Sequence, residues 1–176
     1  MGIAFRPIDL GHDEDVRAIV AWTNDRAIRH LHVWCPDEAE YERVDTPASA
    51  RARLERALAR GKRIDMIVAD GAVVGDVSFD TDPKPFYRKS PGSAWLGLVI
   101  GDATARGRGI GKVAMHHIES AARDAGCSRA EIGVFEFNKI ARRLYTGLGY
   151  VEIARIPEFT WWNGKMWPDI RLEKRL

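Results

Sequence analysis

Between Arg106 and Lys112 the chain reads Arg-Gly-Arg-Gly-Ile-Gly-Lys, three glycines and three basic residues in seven positions. Cationic side chains interleaved with glycine suit an anion, because backbone N–H groups can close on it without a Cβ in the way. A helical pattern begins at once. The first N–H groups of a helix have no intrahelical partner and carry the positive end of its dipole. Full charge, partial charge and open backbone together make a seat for a pyrophosphate. An ordinary glycine turn is the competing reading. Spacing excludes two nucleotide signatures. A Walker P-loop needs Ser or Thr after its lysine, and Val113 follows Lys112;. The dinucleotide fingerprint fails because Gly111 follows Gly109 one position too early;.

The elements that must position this turn can be read from hydrophobic period. Residues 94–101 form an apolar run that reads as a strand buried on both faces;. After the turn, Ile110, Val113, Ala114, His117, Ile118, Ala121, Ala122 and Ala125 recur at helical steps, which turns Lys112, Glu119 and Arg123 outward;. His117 on that stripe reads as a buried, hydrogen-bonded histidine. Strands are expected over 3–8, 63–70, 72–80 and 129–138, with a hairpin about Asn163-Gly164;. Helices are expected over 13–25, 46–61 and 139–149, the last with Ile140, Ala141, Leu144, Tyr145 and Leu148 on one face;. Residues 29–45 lack a period, and 81–93 form a Pro-containing polar loop.

Composition narrows the function class. A chain of 176 residues with 45% hydrophobic and 30% charged residues is expected to fold as a single domain over 1–176;. A formal charge of +2 argues against nucleic acid or an anionic membrane as partner;. No secretory leader or spanning segment is read, and Cys35 and Cys127 read as reduced thiols, so a cytoplasmic location is expected;.

The turn at 106–111 matches the pattern Q/R-x-x-G-x-G/A, and a second cluster follows about 25 residues later: Asn138, Ala141, Leu144-Tyr145 and Gly149-Tyr150. Together, in this order, they resemble the GNAT superfamily of N-acetyltransferases, in particular the branch that acetylates N-termini of ribosomal proteins and related acceptors. The resemblance spans roughly residues 3–175. It implies a mixed α/β fold: a mostly antiparallel, twisted sheet of six or seven strands, a splayed parallel pair at the fourth and fifth, and about four helices.

The resemblance also implies roles. Acetyl-CoA is the co-substrate, with no metal, and acetyl passes directly to a primary amine: a protein N-terminus or a small cationic amine such as a polyamine or aminoglycoside. Arg106, Gly107, Arg108, Gly109, Ile110, Gly111 and Lys112 would hold the pyrophosphate. Leu98, Val99 and Ile100 would pair with the pantetheine arm, with Asn138 and Ala141 beside it. Tyr145 would be the general acid, since a phenol stays protonated at neutral pH; packing is its alternative role. Asn138 also suits a helix N-cap. The base is not legible: Asp76, Asp80, Asp102, Glu131 and Glu136 are candidates, and none is required. A non-catalytic acyl-CoA sensor is the alternative function, and monomer and homodimer both stand open.

On the acceptor side, Trp34, Phe159, Trp161, Trp162 and Trp167 either wall an aromatic groove or cover the sheet end. Asp76 would be a further acceptor contact. The acidic run Asp37, Glu38, Glu40 and Glu42 would draw in a cationic acceptor or is merely a solvated face. His30, His32 and Cys35 have no strong metal-ligand spacing.

Overall fold

A computed structural model describes residues 2–83 and 86–176. In chain order the elements are β1 (Ile3–Pro7), α1 (Asp13–Asn24), α2 (Arg29–His32), α3 (Glu38–Glu42), α4 (Pro47–Ala59), β2 (Arg63–Ala69), β3 (Ala72–Thr81), β4 (Ser93–Ile100), α5 (Ile110–Asp124), β5 (Arg129–Phe135), α6 (Lys139–Gly147), β6 (Val151–Trp162) and β7 (Lys165–Arg175). A 3-10 turn, Ala103–Ala105, leads from β4 towards α5. The strands form one sheet in the order β1-β2-β3-β4-β5-β7-β6. All neighbours are antiparallel except β4 and β5. Of the polar loop expected over 81–93, Lys84 and Pro85 lie outside the described residues.

Local chemistry sets the boundaries. Helix α4 starts in a reciprocal cap: Ser49 N donates to Thr46 Oγ1 (3.1 Å), Thr46 N donates to Ser49 Oγ (2.9 Å), and Pro47 holds the first turn;. Helix α1 opens on Asp13, Glu14 and Asp15, which favour a helix N-terminus;. Asp15 is buried and accepts two 2.6 Å bonds from Arg6, tying α1 to β1. Six helices stand among the described residues, against about four expected. The extra two, α2 and α3, have four and five residues, too short for a period to show in the sequence.

Strand alternation sorts the core onto two faces. Ile64 and Met66 pack with Ile8, Ile19 and Leu54 beneath α1 and α4. Ile67, Val77, Leu96, Ile132 and Leu172 pack with Ile110, Ala114 and Ile118 of α5 on the other face.

Three expectations are corrected. Strand β4 is not buried on both faces: Ala94 and Leu96 are buried, but Gly97 to Ile100 are partly exposed. The cause is pairing. Strand β4 meets β5 only at Ser93↔Arg129, Ala94↔Ala130 and Trp95↔Glu131, and the two then part. On α6, Ile140 is 83% exposed. At about 100° per residue it falls outside the stripe of Ala141, Leu144, Tyr145 and Leu148. On α5, the buried stripe is rotated so that Val113 is exposed and Glu119 is buried.

Glu119 is held by Tyr150 OH (2.9 Å) and Lys174 Nζ (2.8 Å). Glu119→Ala strands both donors, so it is expected to cost about 3 kcal/mol in urea unfolding. His117 is partly buried; its Nε2 lies 2.6 Å from Asp65 Oδ2 and its ring stacks on Phe5 at 3.9 Å.

Candidate active site

Where β4 leaves β5, the sheet opens into a cavity of about 650 Å³. Its walls come from α1 and α4 on one side and from β3, β4, β5 and β7 on the other. The region around α2 roofs it. Buried Arg29 organises that roof by donating to three backbone carbonyls, Thr23 O (2.7 Å), Tyr41 O (2.9 Å) and Glu40 O (2.9 Å). The roof is pinned to β6 by Trp161 N donating to Cys35 O (2.7 Å) and Trp34 Nε1 donating to Phe159 O (2.8 Å).

The first turn of helix α5 lies beside Leu98 of the cavity wall, and residues 106–112 are not part of the lining. Gly107 and Gly109 have φ of 74° and 80°, a left-handed region that costs other residues strain;. The first amides to find a helical carbonyl are those of Lys112 and Val113, both on Gly109 O. A Cβ on Gly111 would lie 3.1 Å from Leu144 and 3.5 Å from Leu98. The first turn of α5 therefore packs against the second half of α6 and the splayed end of β4. Gly109→Val is expected to weaken CoA binding roughly tenfold in calorimetry, because the αL strain of about 1–2 kcal/mol distorts the amide cradle.

The charged groups of the turn are less free than the sequence suggests. Arg106 donates to Ile100 O (3.0 Å) and Gly101 O (2.6 Å), bracing the end of β4. Arg108 is paired with Asp70 at 2.9 Å. Lys112 is exposed and has no ion pair among the described residues. Leu98 and Val99 line the cavity, as do Asn138 and Ala141. Asn138 Oδ1 caps α6 by accepting from Ala141 N (3.1 Å), and its Nδ2 donates to Leu31 O (3.3 Å).

Tyr145 is 4% exposed and lines the cavity. Burial raises its pKa above the ordinary phenol value;. Asp76 also lines the cavity, and burial pushes its pKa up to about 6, against the pull of Lys62 and Arg53. The other carboxylates offered as bases lie elsewhere. Glu131 is buried under the 86–88 segment and accepts from Tyr87 N (2.7 Å). Glu136 pairs with Arg155 (2.7 Å), and Asp102 accepts from Thr104 N (2.7 Å). Asp80 is absent from the cavity lining.

The acceptor-side residues divide in the same way. Trp34 and Phe159 line the cavity, while Trp161, Trp162 and Trp167 do not. Trp162 stacks on His30 at 4.4 Å and packs against Phe137 and Trp167, covering the sheet end. Glu38 is exposed on α3, Asp37 caps that helix, Glu40 pairs with Arg43, and Glu42 pairs with Arg26. None of the four lines the main cavity.

Several lining residues were not anticipated: Trp22, His32, Trp95, Lys62, Asp169 and Arg171. Burial lowers His32 to about pKa 4, so its imidazole is neutral and Nε2–H donates to Trp22 O (3.1 Å). Asp169 is pushed up to about 6 by burial, with Arg171 Nε 2.6 Å away. The available signal was strand alternation: Asp169 and Arg171 flank Ile170, as Asp76 and Ser78 flank Val77;. Among the described residues no cluster of three or more His, Cys, Asp or Glu could hold a metal ion. No described helix is long and apolar enough to cross a membrane.

A splayed parallel pair beside a helix that starts on glycine belongs to the fold of the N-acetyltransferases. The sequence profile of the acetyltransferase (GNAT) family matches residues 25–150, and the chain belongs to that family. An N-acetyltransferase from Staphylococcus aureus Mu50 superposes with a TM-score of 0.80 over 99% of both chains, at 18% identity. The ribosomal-protein-alanine N-acetyltransferase of Brucella melitensis gives 0.80 over 98% of this chain and 99% of its own, at 21% identity. The spermidine N-acetyltransferase of Vibrio cholerae, solved with CoA and spermine, gives 0.78 over 98% of this chain and 95% of its own, at 17% identity. At these identities the likeness is one of fold. No curated protein matches the chain significantly by sequence.

Proposed function

We propose that the protein transfers acetyl from acetyl-CoA directly to a primary amine. One observation carries this reading: the end of β4 that β5 leaves free, a buried phenol and a high-pKa carboxylate line a single cavity, and the α5 start packs beside Leu98 of its wall. Amides of Gly109, Ile110 and Gly111 hold the pyrophosphate, helped by Lys112; Arg106 and Arg108 shape the loop that presents them. Leu98, Val99 and Ile100 offer backbone groups to the pantetheine arm, with Asn138 and Ala141 flanking it.

Asp76 takes a proton from the attacking ammonium, as a carboxylate titrating near 6 is ionised yet basic at neutral pH;. The amine nitrogen bonds to the acetyl carbon, the carbon–sulfur bond breaks, Tyr145 gives its proton to the departing thiolate, and the nitrogen releases its second proton to solvent as the amide forms. Low polarity raises the phenol pKa, and it disfavours a bare thiolate as well;. Tyr145 regains its proton from solvent. No covalent enzyme intermediate is needed. Cys35 is buried and its thiol pKa is raised, so it is a poor nucleophile;.

The test is release of free CoA from acetyl-CoA across a panel of primary amines, beside calorimetry of CoA binding. Turnover with at least one amine supports transfer. Binding without any turnover overturns it and leaves an acyl-CoA sensor.

A further inference from the structure

One wall of the cavity holds polar groups that the transfer step does not use. Ser78 lies two residues from Asp76 on the same face of β3, and Lys62, just before β2, lines the cavity with them;. The other cations on the wall are matched: Arg53 by Asp45, and Arg171 by Asp169. Lys62 Nζ has no ion pair or hydrogen bond among the described residues. Burial lowers its pKa, and Asp76 and Asp80 oppose that change. Ser78 is buried, and Gly97 faces it: a Cβ there would come within 2.9 Å of Ser78 Oγ. That glycine keeps the hydroxyl accessible from the cavity.

An enclosed ammonium with no carboxylate in direct contact is costly, and Asp76 and Asp80 offset that only in part;. A polyamine entering here would bring more positive charge towards it. A neutral amine would strip water from Lys62 and return nothing. An amine with an anionic group one or two bonds away serves both sides, nitrogen towards Asp76 and anion towards Lys62 and Ser78.

We propose that the acceptor is a primary amine bearing an adjacent anionic group, of the α-amino carboxylate kind, and that Lys62 and Ser78 anchor this group. The proposal rests on the acetyl-transfer reading above. It is tested with matched acceptors, a set of α-amino acids and their α-amides, using kcat/KM from CoA release for wild type, Lys62→Met and Lys62→Arg. Calorimetry with CoA reports whether each variant is folded.

Wild type is expected to favour the acid over its amide by roughly 10- to 100-fold. Lys62→Met is expected to bring that ratio to within about twofold, while Lys62→Arg keeps most of it. If Lys62→Met fails to bind CoA, Ser78→Ala makes the same comparison, and its ratio should also fall. Equal or better use of amides by wild type overturns the proposal but leaves acetyl transfer standing. So does an acid preference that survives in folded Lys62→Met. CoA binding with no turnover of acids, amides or polyamines overturns both readings.

Discussion

Tyr145→Phe lowers kcat at least about 100-fold, while CoA affinity and the unfolding midpoint change little. Tyr145 lies on the cavity wall at 4% exposure, and burial alone accounts for its raised pKa. The substitution removes one oxygen and keeps the ring packed against Tyr150, whose centroid is 6.1 Å away. If Tyr145 only packs, Phe serves equally well and kcat stays within a few-fold of wild type. If it supplies the leaving-group proton, the loss falls on kcat and not on CoA binding, because the proton is needed only as the carbon–sulfur bond breaks. Steady-state kinetics with calorimetry on the same preparation separates the two outcomes.

Asp76→Asn is expected to lower kcat/KM by about 100-fold near neutral pH and to abolish the acidic limb of the pH profile. Asp76 titrates at about 6 against an ordinary 3.8, so wild-type activity falls as pH drops through 6 and the base becomes protonated. In the variant, rate follows only the neutral fraction of the amine and rises with pH towards the amine's own pKa. Stability moves the other way. A carboxyl whose folded pKa is raised binds its proton more tightly in the folded state, so folding loses stability as pH rises from about 3.8 to 6;. Above that window the charged Asp76 is a burden that Asn removes. Asp76→Asn therefore melts at or above the wild-type temperature at pH 8 while losing activity. A variant that loses stability and activity together would mark Asp76 as a structural residue instead.

The glycine turn before α5 and the cap of α6 were legible because their signals are local. Gly107 and Gly109 adopt positive φ, and Asn138 caps α6, so residue type and backbone conformation are linked within a few positions;. The acceptor side was not legible in this way. Trp161 and Trp162 attract notice as a pair, yet they pack on Tyr41 and His30 outside the cavity, whereas Trp22 and Trp95, 73 positions apart, share it. Glu131 and Asp76 look alike in sequence. Glu131 caps backbone amides of Tyr87 and Arg88, and Asp76 faces the cavity.

The amino-acid sequence alone determined the order of the strands and longer helices, the caps at Thr46 and Asn138, the glycine-bearing start of α5 and the family pattern around Tyr145. These depend on contacts within a turn or two of chain, where residue type and spacing carry the information. Tertiary structure alone decided which carboxylates line a cavity with the phenol, that Arg106 and Arg108 are spent on carbonyls and Asp70, and that Lys62 faces the cavity without an ion pair among the described residues. Those outcomes follow from the parting of β4 and β5 after Trp95 and Glu131, which brings α1, α4, β3 and β7 around one space. Burial and charge pairing are set by neighbours distant in the chain, so composition and period cannot report them.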